Sequence, residues 1–569
     1  MTQYFLGIDV GTGSARACII DDKGALLSQD VEPIKLNHPN HTIFEQSTDD
    51  IWRAICKSSR EAIKQAGVSG RDIQGVGFDA TCSLVVLDKQ GRPASVNQDS
   101  GFNNNEFNLI LWADHRAVEQ AARINATQHP VLKYVGSKIS PEMEIPKSLW
   151  LKENMPAEKW DAIGSLMDLP DFLTYRATGS FARSTCSLTC KCSFLPNGVG
   201  EGWDKSYFEA IGLGCLIPEN FDRLGGQEVL TAGDPVGNGL TAQAAEELGG
   251  LRPNTPVGSA VIDAYAGAIA TLGAPSTEDQ RAQMLSNQKE SLLSHGTHRV
   301  AIACGTSSCH IAMSPEAVFV PGVWGPYYSV MVPGMWHAEG GQSSTGQLID
   351  HTLKTHAAFE EATRLARAEN MSIYEYLNRH LSDKQTRHGF KHLEELTTQM
   401  HIYPDYHGNR SPLADPSLRG MIIGVSLDSS IDDLATRYLA TLQAISCQTR
   451  HIIEALNEKG HQIDTICLSG GLCKNPIFVR LHADITRCKV ILPERIEAAV
   501  VIGAAFLGAK AAGFSKDLWE TMVKLGRAGQ IVEPTQEPEK IQMHERRYRI
   551  FHEMLNDQKK YRAIMEGSA

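Results

Sequence analysis

Several things are scarce in this chain of 569 residues, and each scarcity narrows what it can do. Long apolar runs are missing. The most apolar stretch, Val257–Leu272, carries Asp263 and two glycines, too short and too polar for a membrane span. Cations are outnumbered, 54 Lys and Arg against 66 Asp and Glu, for a formal net charge of −12. That balance argues against a general nucleic-acid or anionic-membrane surface. There is no C-x-x-C pair among the 13 cysteines. Cys186, Cys190 and Cys192 cluster, but no second cluster or histidine spacing completes a zinc site. Reduced, mostly buried thiols in a cytoplasmic protein fit this usage better. No signal-peptide pattern opens the chain, which runs straight into a strand. A P-loop, G-x-x-x-x-G-K-[ST], is absent as well.

What is present is ordinary globular composition, 42% hydrophobic and 21% charged, with length for two large domains. The opening stretch, Tyr4–Arg16, reads strand, turn, strand. Gly11, Thr12 and Gly13 form the turn, and Asp9 stands beside it. Glycines let backbone approach a ligand, and successive N–H groups at such a tip can hold phosphate oxygens. Asp9 would then stand where a magnesium ion on those phosphates is met. A dinucleotide fingerprint is not satisfied, because Arg16 occupies the third glycine position and a strand follows instead of a helix. On the loop alone, an ordinary glycine-rich hairpin fits equally well.

Strand and helix signals then alternate. Ser47–Gln65 predicts a helix, with Ser47 or Thr48 as cap and Asp49 and Asp50 at its positive end. Gln74–Phe78 predicts a buried strand running into Asp79-Ala80-Thr81-Cys82-Ser83. Leu109–Trp112 predicts a strand ending in Ala113-Asp114-His115-Arg116, and polar residues at a strand end are a usual ligand position in α/β folds. Trp112 reads equally as a core aromatic and Arg116 as a solvated helix residue. Lys191 lies among Cys190, Cys192 and Phe194, which argues for partial burial and a polar or anionic partner. Asp263 follows the strand Pro256–Ile262 and precedes a helix, where it reads as an N-cap. A helix N-terminus favours the ionised carboxylate, as a general base requires. Ala274–His298 is polar and reads as a crossing between domains or an inserted loop.

After it the opening pattern returns: strand Arg299–Ala303, turn Cys304-Gly305-Thr306-Ser307-Ser308, strand Cys309–Met313. Gly11-Thr12 and Gly305-Thr306 correspond, as in an internal duplication. Glu339 lies where Trp336–Gln342 turns Gly-rich, either a cleft acid or a surface turn acid. Asp432–Leu456 predicts a long helix. Ser469–Pro476, with Gly470, Gly471 and Asn475, is a loop suited to an adenine or ribose. Ala498–Ala512 is a small-residue helix able to pack closely on a sheet, and Met543–Met565 is a basic helical tail that docks on the body.

GIDVGTGSAR, LWADHRA, VIDAYAG, ACGTSS, YHGNRSP…DPSLRG and LSGGLCKNP, in that order, resemble the FGGY carbohydrate kinases over about Tyr4 to Gly513. The resemblance implies an α/β, two-domain actin/Hsp70/hexokinase-like (ribonuclease H-like) fold with a cleft between domains. It implies an N-terminal domain at 1–273, a crossing at 274–298, a C-terminal nucleotide domain at 299–530 and a helical tail at 531–569. Asp263 then matches the catalytic base, and Asp9 and Asp263 the acids near magnesium. Asp9, Gly11, Thr12, Gly13, Gly305 and Thr306 match phosphate-loop positions, with Arg16 near the transferring phosphate. Gly470, Gly471 and Asn475 match the nucleotide loop. Trp112, Lys191 and Glu339 resemble ketopentose-binding positions of the ribulokinase branch, and Asp114 and Arg116 belong with them as expected substrate contacts. GFDATCS resembles D-ribulose kinases, so the resemblance implies ATP and Mg²⁺ as cofactors and D-ribulose as acceptor. No nucleic acid or membrane partner is implied, and a homodimer stays open. The rival expectations are another sugar or polyol, a sugar-binding regulator without catalysis, or an actin- or Hsp70-like ATPase with no sugar.

Overall fold

The structure is a computed structural model that describes residues 2–567. Its first strand, Tyr4–Val10 (β1), is buried at every residue after Tyr4, as a strand covered on both faces must be. It turns through Gly11, Thr12 and Gly13 into Ser14–Asp21 (β2), with Asp9 opposite Arg16. The Gly11 N–H closes the turn on the Ser14 carbonyl at 3.0 Å. Leu26–Pro33 (β3) pairs antiparallel with β2. Ile73–Ala80 (β4) lies parallel to β1, and Val257–Ile262 (β5) parallel to β4. The sheet order is β5-β4-β1-β2-β3.

A second sheet repeats that plan. Arg299–Cys304 (β6) and Ser308–Ser314 (β7) form the matching hairpin, turning through Gly305, Thr306 and Ser307. Trp324–Tyr328 (β8), Trp336–Gln342 (β9), Thr465–Ser469 (β10), Lys489–Pro493 (β11) and Ala528–Val532 (β12) complete it. The order is β8-β9-β7-β6-β10-β11-β12. β9-β7-β6 run antiparallel and β6-β10-β11 parallel. β3-β2-β1 and β1-β4-β5 do the same, so the repeat covers five strands and not only a hairpin.

Seven of the helices bear on the site and on the joining of the halves. Thr48–Ala66 (α1) starts where Ser47 accepts the Asp50 N–H and stops at Gly67, whose φ is 68°. Thr185–Lys191 (α2) and Asp263–Leu272 (α3) follow strands of the first half. Ile431–Glu458 (α4), Pro476–Thr486 (α5) and Ala499–Ala511 (α6) belong to the second half by sequence. Pro538–Met565 (α7) docks through buried Tyr548, Phe551 and Leu555. α6 packs on β1 and β4 of the first sheet. Close approach is possible because Gly7, Gly75 and Gly77 face it: a Cβ on Gly77 would stand 1.9 Å from the Ala504 carbonyl. The polar crossing is helical over Glu278–Ser286 and Gln288–Ser294, with Arg281 donating to carbonyls of Lys524 and Gly526. The Leu109 strand is short, only Leu109–Ile110. All 13 cysteines are unpaired, and only Cys215 is exposed. Among the described residues no helix is long and apolar enough to cross a membrane.

Candidate active site

Three acids stand at the C-terminal ends of three neighbouring parallel strands, the usual ligand edge of such a sheet. Asp9 of β1 faces Asp79 of β4 in register, and Val261 of β5 faces Asp79 from the other side. Asp263 follows β5 directly. It is the first residue of α3 and not its cap, which is Ile262. Its Oδ1 accepts the Ala264 N–H at 2.7 Å, and its side chain keeps some exposure while Asp9 and Asp79 are buried. Burial and the nearby Asp9 carboxylate raise Asp263 to about 7, against the Ala264 N–H and Lys191, which pull it down. Burial also raises Asp9, opposed by Arg16, whose guanidinium lies 3.5 Å from it. Asp79 goes well above the carboxylate range through burial and through Asp9 and Asp263. Among the described residues no donor group reaches either Asp79 oxygen, and its close polar neighbour is the Asp9 carboxyl. An all-carboxylate donor set with an orphaned buried acid fits a hard divalent cation such as magnesium.

A different trio, Glu394, Asp484 and His544, brings potential metal ligands within 4.8 Å of one another. Lys540 already sits there, 2.8 Å from Asp484 and 3.3 Å from Glu394. That cluster pins α7 to α5.

The two hairpin tips are open. A Cβ on Gly13 would meet nothing within 4 Å, and one on Gly305 nothing closer than 3.9 Å. Their backbone is therefore approachable by an anion. Thr12 is held from behind: its hydroxyl accepts the Trp112 Nε1–H at 3.0 Å and its carbonyl the Gln46 amide at 2.8 Å. Thr345 similarly braces the second tip, donating its N–H to the Thr306 carbonyl at 2.9 Å. Gly470, with φ at 93°, lies against Cys304, where a Cβ would come 2.4 Å from the carbonyl. The nucleotide-type loop is thus fastened to β6. Gly471 has open space around it. Asn475 caps α5 through the Ile477 N–H and is gripped by Asn378 and Tyr438.

Lys191, at the end of α2, and Glu339, in the middle of β9, meet across the two halves at 3.1 Å. Both are buried. Glu339 is a strand residue and not a turn acid: β9 runs unbroken through Gly340 and Gly341. Tyr265 donates its hydroxyl to Glu339 at 3.4 Å, and the Lys191 ammonium lies 4.9 Å from the Trp324 ring centre. Burial alone would pull the Lys191 ammonium down, but Glu339, together with Cys82, Tyr327 and Cys190 around it, holds it well above the usual range.

Asp114 and Arg116, expected as substrate contacts, are placed otherwise. Arg116 forks onto Asp114 at 2.7 and 2.8 Å and reaches Glu45 at 2.9 Å. Asp114 also accepts the Phe44 N–H at 2.7 Å. With every charge answered by protein, the pair orders the strand ends that carry Trp112. Sequence reasoning gave no role to Asp79, to Trp324 or to Arg410 and Glu142, which form an ion pair at 3.2 Å. Asp79 had a usable signal, an acid at the end of a buried strand just as Asp9 is. Glu142 and Trp324 had none, because only tertiary contact brings them to the cleft.

Comparisons with known proteins fit this arrangement. Residues 4–270 match the N-terminal domain, and 300–512 the C-terminal domain, of the FGGY family of carbohydrate kinases. The chain is 47% identical to a human FGGY carbohydrate kinase domain-containing protein, over 99% of this chain and 98% of that one. It is 44% identical to a D-ribulokinase of Saccharomyces cerevisiae, covering 93% of this chain and 74% of the yeast protein. In fold it resembles a xylulose kinase from Rhodospirillum rubrum, with TM-score 0.74, 20% identity and coverage of 98% and 99%. A Plasmodium falciparum glycerol kinase with ADP gives TM-score 0.71 at 16% identity, covering 97% and 98%. Two repeated sheets, each with its glycine hairpin, and two matched family domains lead to one conclusion: the chain belongs to the FGGY family of carbohydrate kinases.

Proposed function

We propose that this carbohydrate kinase transfers the terminal phosphoryl group of ATP to the terminal hydroxyl of D-ribulose, giving D-ribulose 5-phosphate. The observation that carries the chemistry is the position of Asp263. Its carboxyl feels Asp9, beside the first hairpin, and also the Lys191–Glu339 pair on the other side. An acceptor hydroxyl held between them would meet a base poised near neutrality, as general-base catalysis favours. The acceptor identity is supported by the likeness to a yeast D-ribulokinase and by the sequence resemblance of Trp112, Lys191 and Glu339 to ketopentose-binding positions of the ribulokinase branch.

The Gly11 and Gly305 N–H groups close their own turns, which leaves the N–H groups of Thr12, Gly13 and Thr306 at the tips to meet the phosphates. The loop at Gly470, Gly471 and Asn475 holds the adenosine. Arg16 is placed to offset charge on the transferring group, since phosphoryl transfer asks the protein mainly for positioning and charge stabilisation. Asp9, Asp79 and Asp263 would hold a magnesium ion, which when bound neutralises phosphate charge. Lys191 and Glu339 orient the ketose, donating to its oxygens and accepting from its hydroxyls. Asp263 accepts the hydroxyl proton as the oxygen attacks. Closure of the halves keeps water from competing as acceptor. The unpaired thiols support a reducing, cytoplasmic setting.

The test is a panel of D-ribulose, L-ribulose, D-xylulose, pentitols, a seven-carbon ketose and glycerol with Mg²⁺ and ATP, scored by product. D-Ribulose should give the highest kcat/KM. Another acceptor ahead of it by tenfold or more, about 1.4 kcal/mol of preference, would replace the ketopentose assigned here. ATP turnover indifferent to all of them would favour a bare ATPase.

A further inference from the structure

Trp324 has two cations beside its ring, each paired with a carboxylate from the opposite half of the molecule. Lys191, from the first half, meets Glu339 of the second at 3.1 Å. Arg410, from the second half, meets Glu142 of the first at 3.2 Å. The Lys191 ammonium is 4.9 Å and the Arg410 guanidinium 5.4 Å from the indole centre. The two pairs therefore cross the cleft in opposite directions around one aromatic ring. They also differ in depth. Side-chain exposure is 3% and 6% for Lys191 and Glu339, but 11% and 20% for Arg410 and Glu142. The first pair is the floor and the second the rim.

The rim pair is built in. Gly341 is two residues along β9 from Glu339 and so shares its face. A Cβ there would stand 2.4 Å from the Ser308 carbonyl and 3.3 Å from an Arg410 guanidinium nitrogen, so the glycine is demanded first by the main chain and also leaves room for the arginine. On the other side, the Glu142 carbonyl accepts from Lys147 Nζ at 3.1 Å, and the same ammonium donates to the Leu111 carbonyl at 2.9 Å. Leu111 precedes Trp112, whose indole holds Thr12 of the first hairpin. A continuous set of contacts thus runs from Arg410 to the phosphate-side hairpin.

We propose that Arg410 and Glu142 are positioning residues that clamp the rim of the acceptor pocket. The pair holds the halves in the arrangement where hairpin, Asp263 and acceptor are aligned and water is kept out. The proposal rests on the reading of Lys191 and Glu339 as the acceptor site. One guanidinium nitrogen of Arg410 reaches both Glu142 oxygens, at 3.2 and 3.4 Å, while another faces the Cys309 sulfur at 3.9 Å, a pair of contacts that a lysine's single ammonium cannot reproduce. An open rim should admit water as a competing acceptor, so that ADP forms without sugar phosphate.

The test measures ADP and sugar phosphate separately in wild type, Arg410→Lys, Glu142→Gln and the double variant, with thermal melts to confirm folding. Each single variant should raise the ADP-to-product ratio by about threefold or more and the ketopentose KM by about tenfold, as loss of a charge-assisted pair implies. The KM for ATP should stay within about twofold, since the rim does not touch the nucleotide. The double variant should be no worse than the poorer single one, because both remove one interaction. Small-angle scattering with ADP, independent of any sugar, should show the variants more open than wild type. Unchanged scattering, or tight coupling with an unchanged ketopentose KM, overturns the clamp. A wild type that phosphorylates no ketopentose overturns the acceptor assignment instead, and scattering still judges the clamp. If Arg410→Lys does not fold, Glu142→Gln alone decides.

Discussion

The proton to be lost in the proposed reaction goes to Asp263, and its local bonding says which substitution is informative. One oxygen accepts the Ala264 N–H, so an asparagine can keep that bond while losing the basic oxygen. Asp263→Asn is expected to fold normally, bind ATP and lose at least about a hundredfold in kcat; steady-state kinetics beside a melting curve check this, and near-normal turnover removes the assignment. Glu339 carries a separate expectation. Glu339→Gln leaves a buried ammonium without its counter-charge, which costs about 3 kcal/mol of stability. It should also raise the ketopentose KM about tenfold or more while the ATP KM moves little; equal changes in both would show that the pair only braces the fold. The contrast between these two residues also explains what was readable. Asp263 follows an apolar run and begins a helix, so its place was legible apart from one position in the cap. Glu339 precedes Gly340 and Gly341, which suggest a turn, yet β7 and β8 on either side hold that stretch as a strand. For Asp114 and Arg116 the position at a strand end was legible, while their partners Glu45 and Phe44 were not, because these come from elsewhere in the chain.

Among the elements, α6 does the most to join the two halves. It touches β1 and β4, which carry Asp9 and Asp79, and crosses α3, which carries Asp263. The crossings are glycine against backbone: a Cβ on Gly7 would lie 2.1 Å from the Val501 carbonyl, and one on Gly503 1.9 Å from that of Ala266. No side-chain adjustment relieves such contacts, because the obstacle is main chain. Gly77→Ala is therefore expected to destabilise by about 3 kcal/mol or more, measured by urea unfolding. Gly13→Ala, which meets nothing within 4 Å, should change stability by less than about 0.5 kcal/mol. Equal stability of the two variants would show that α6 is free to shift. The small-residue character of this helix was legible, and so was the capped start of α1. The sheet that α6 covers was not, because that choice is made by a carbonyl of residue 504 meeting residue 77 far away in sequence. The helices within the polar crossing were hidden for a related reason: their few apolar groups leave little periodicity, and Arg281 secures them by hydrogen bonds to distant carbonyls.

Across the whole molecule, buried titratable groups are divided by half, and the division has a pH consequence. In the first half, burial raises Asp168 to about 6 and Asp171 to about 7, and carries Glu144 well above the carboxylate range. In the second half, burial lowers His310 to about 3 and His337, His461 and His482 to about 4. The unfolded chain titrates near about 4 for carboxylates and about 6.5 for histidine. Between those values the folded first half keeps protons that its unfolded chain has released, so its stability falls as pH rises toward 7. The folded second half lacks protons that its unfolded histidines have bound, so its stability falls as pH drops below about 6.5. Each group contributes up to about 1.4 kcal/mol per pH unit in its window. Asp405, also raised by burial, tempers the second trend without matching four histidines. Amide exchange of the protein without nucleotide or metal, corrected for intrinsic rates, should separate the two between pH 7 and 5. Protection of β1 and β4 should grow on acidification while that of β6, β7 and β10 declines, and Asp171→Asn should flatten the first trend. Parallel trends in the two sheets would mean that the α6 crossing makes the halves unfold as one unit. The opposed signs would then cancel in a single transition with little dependence on pH.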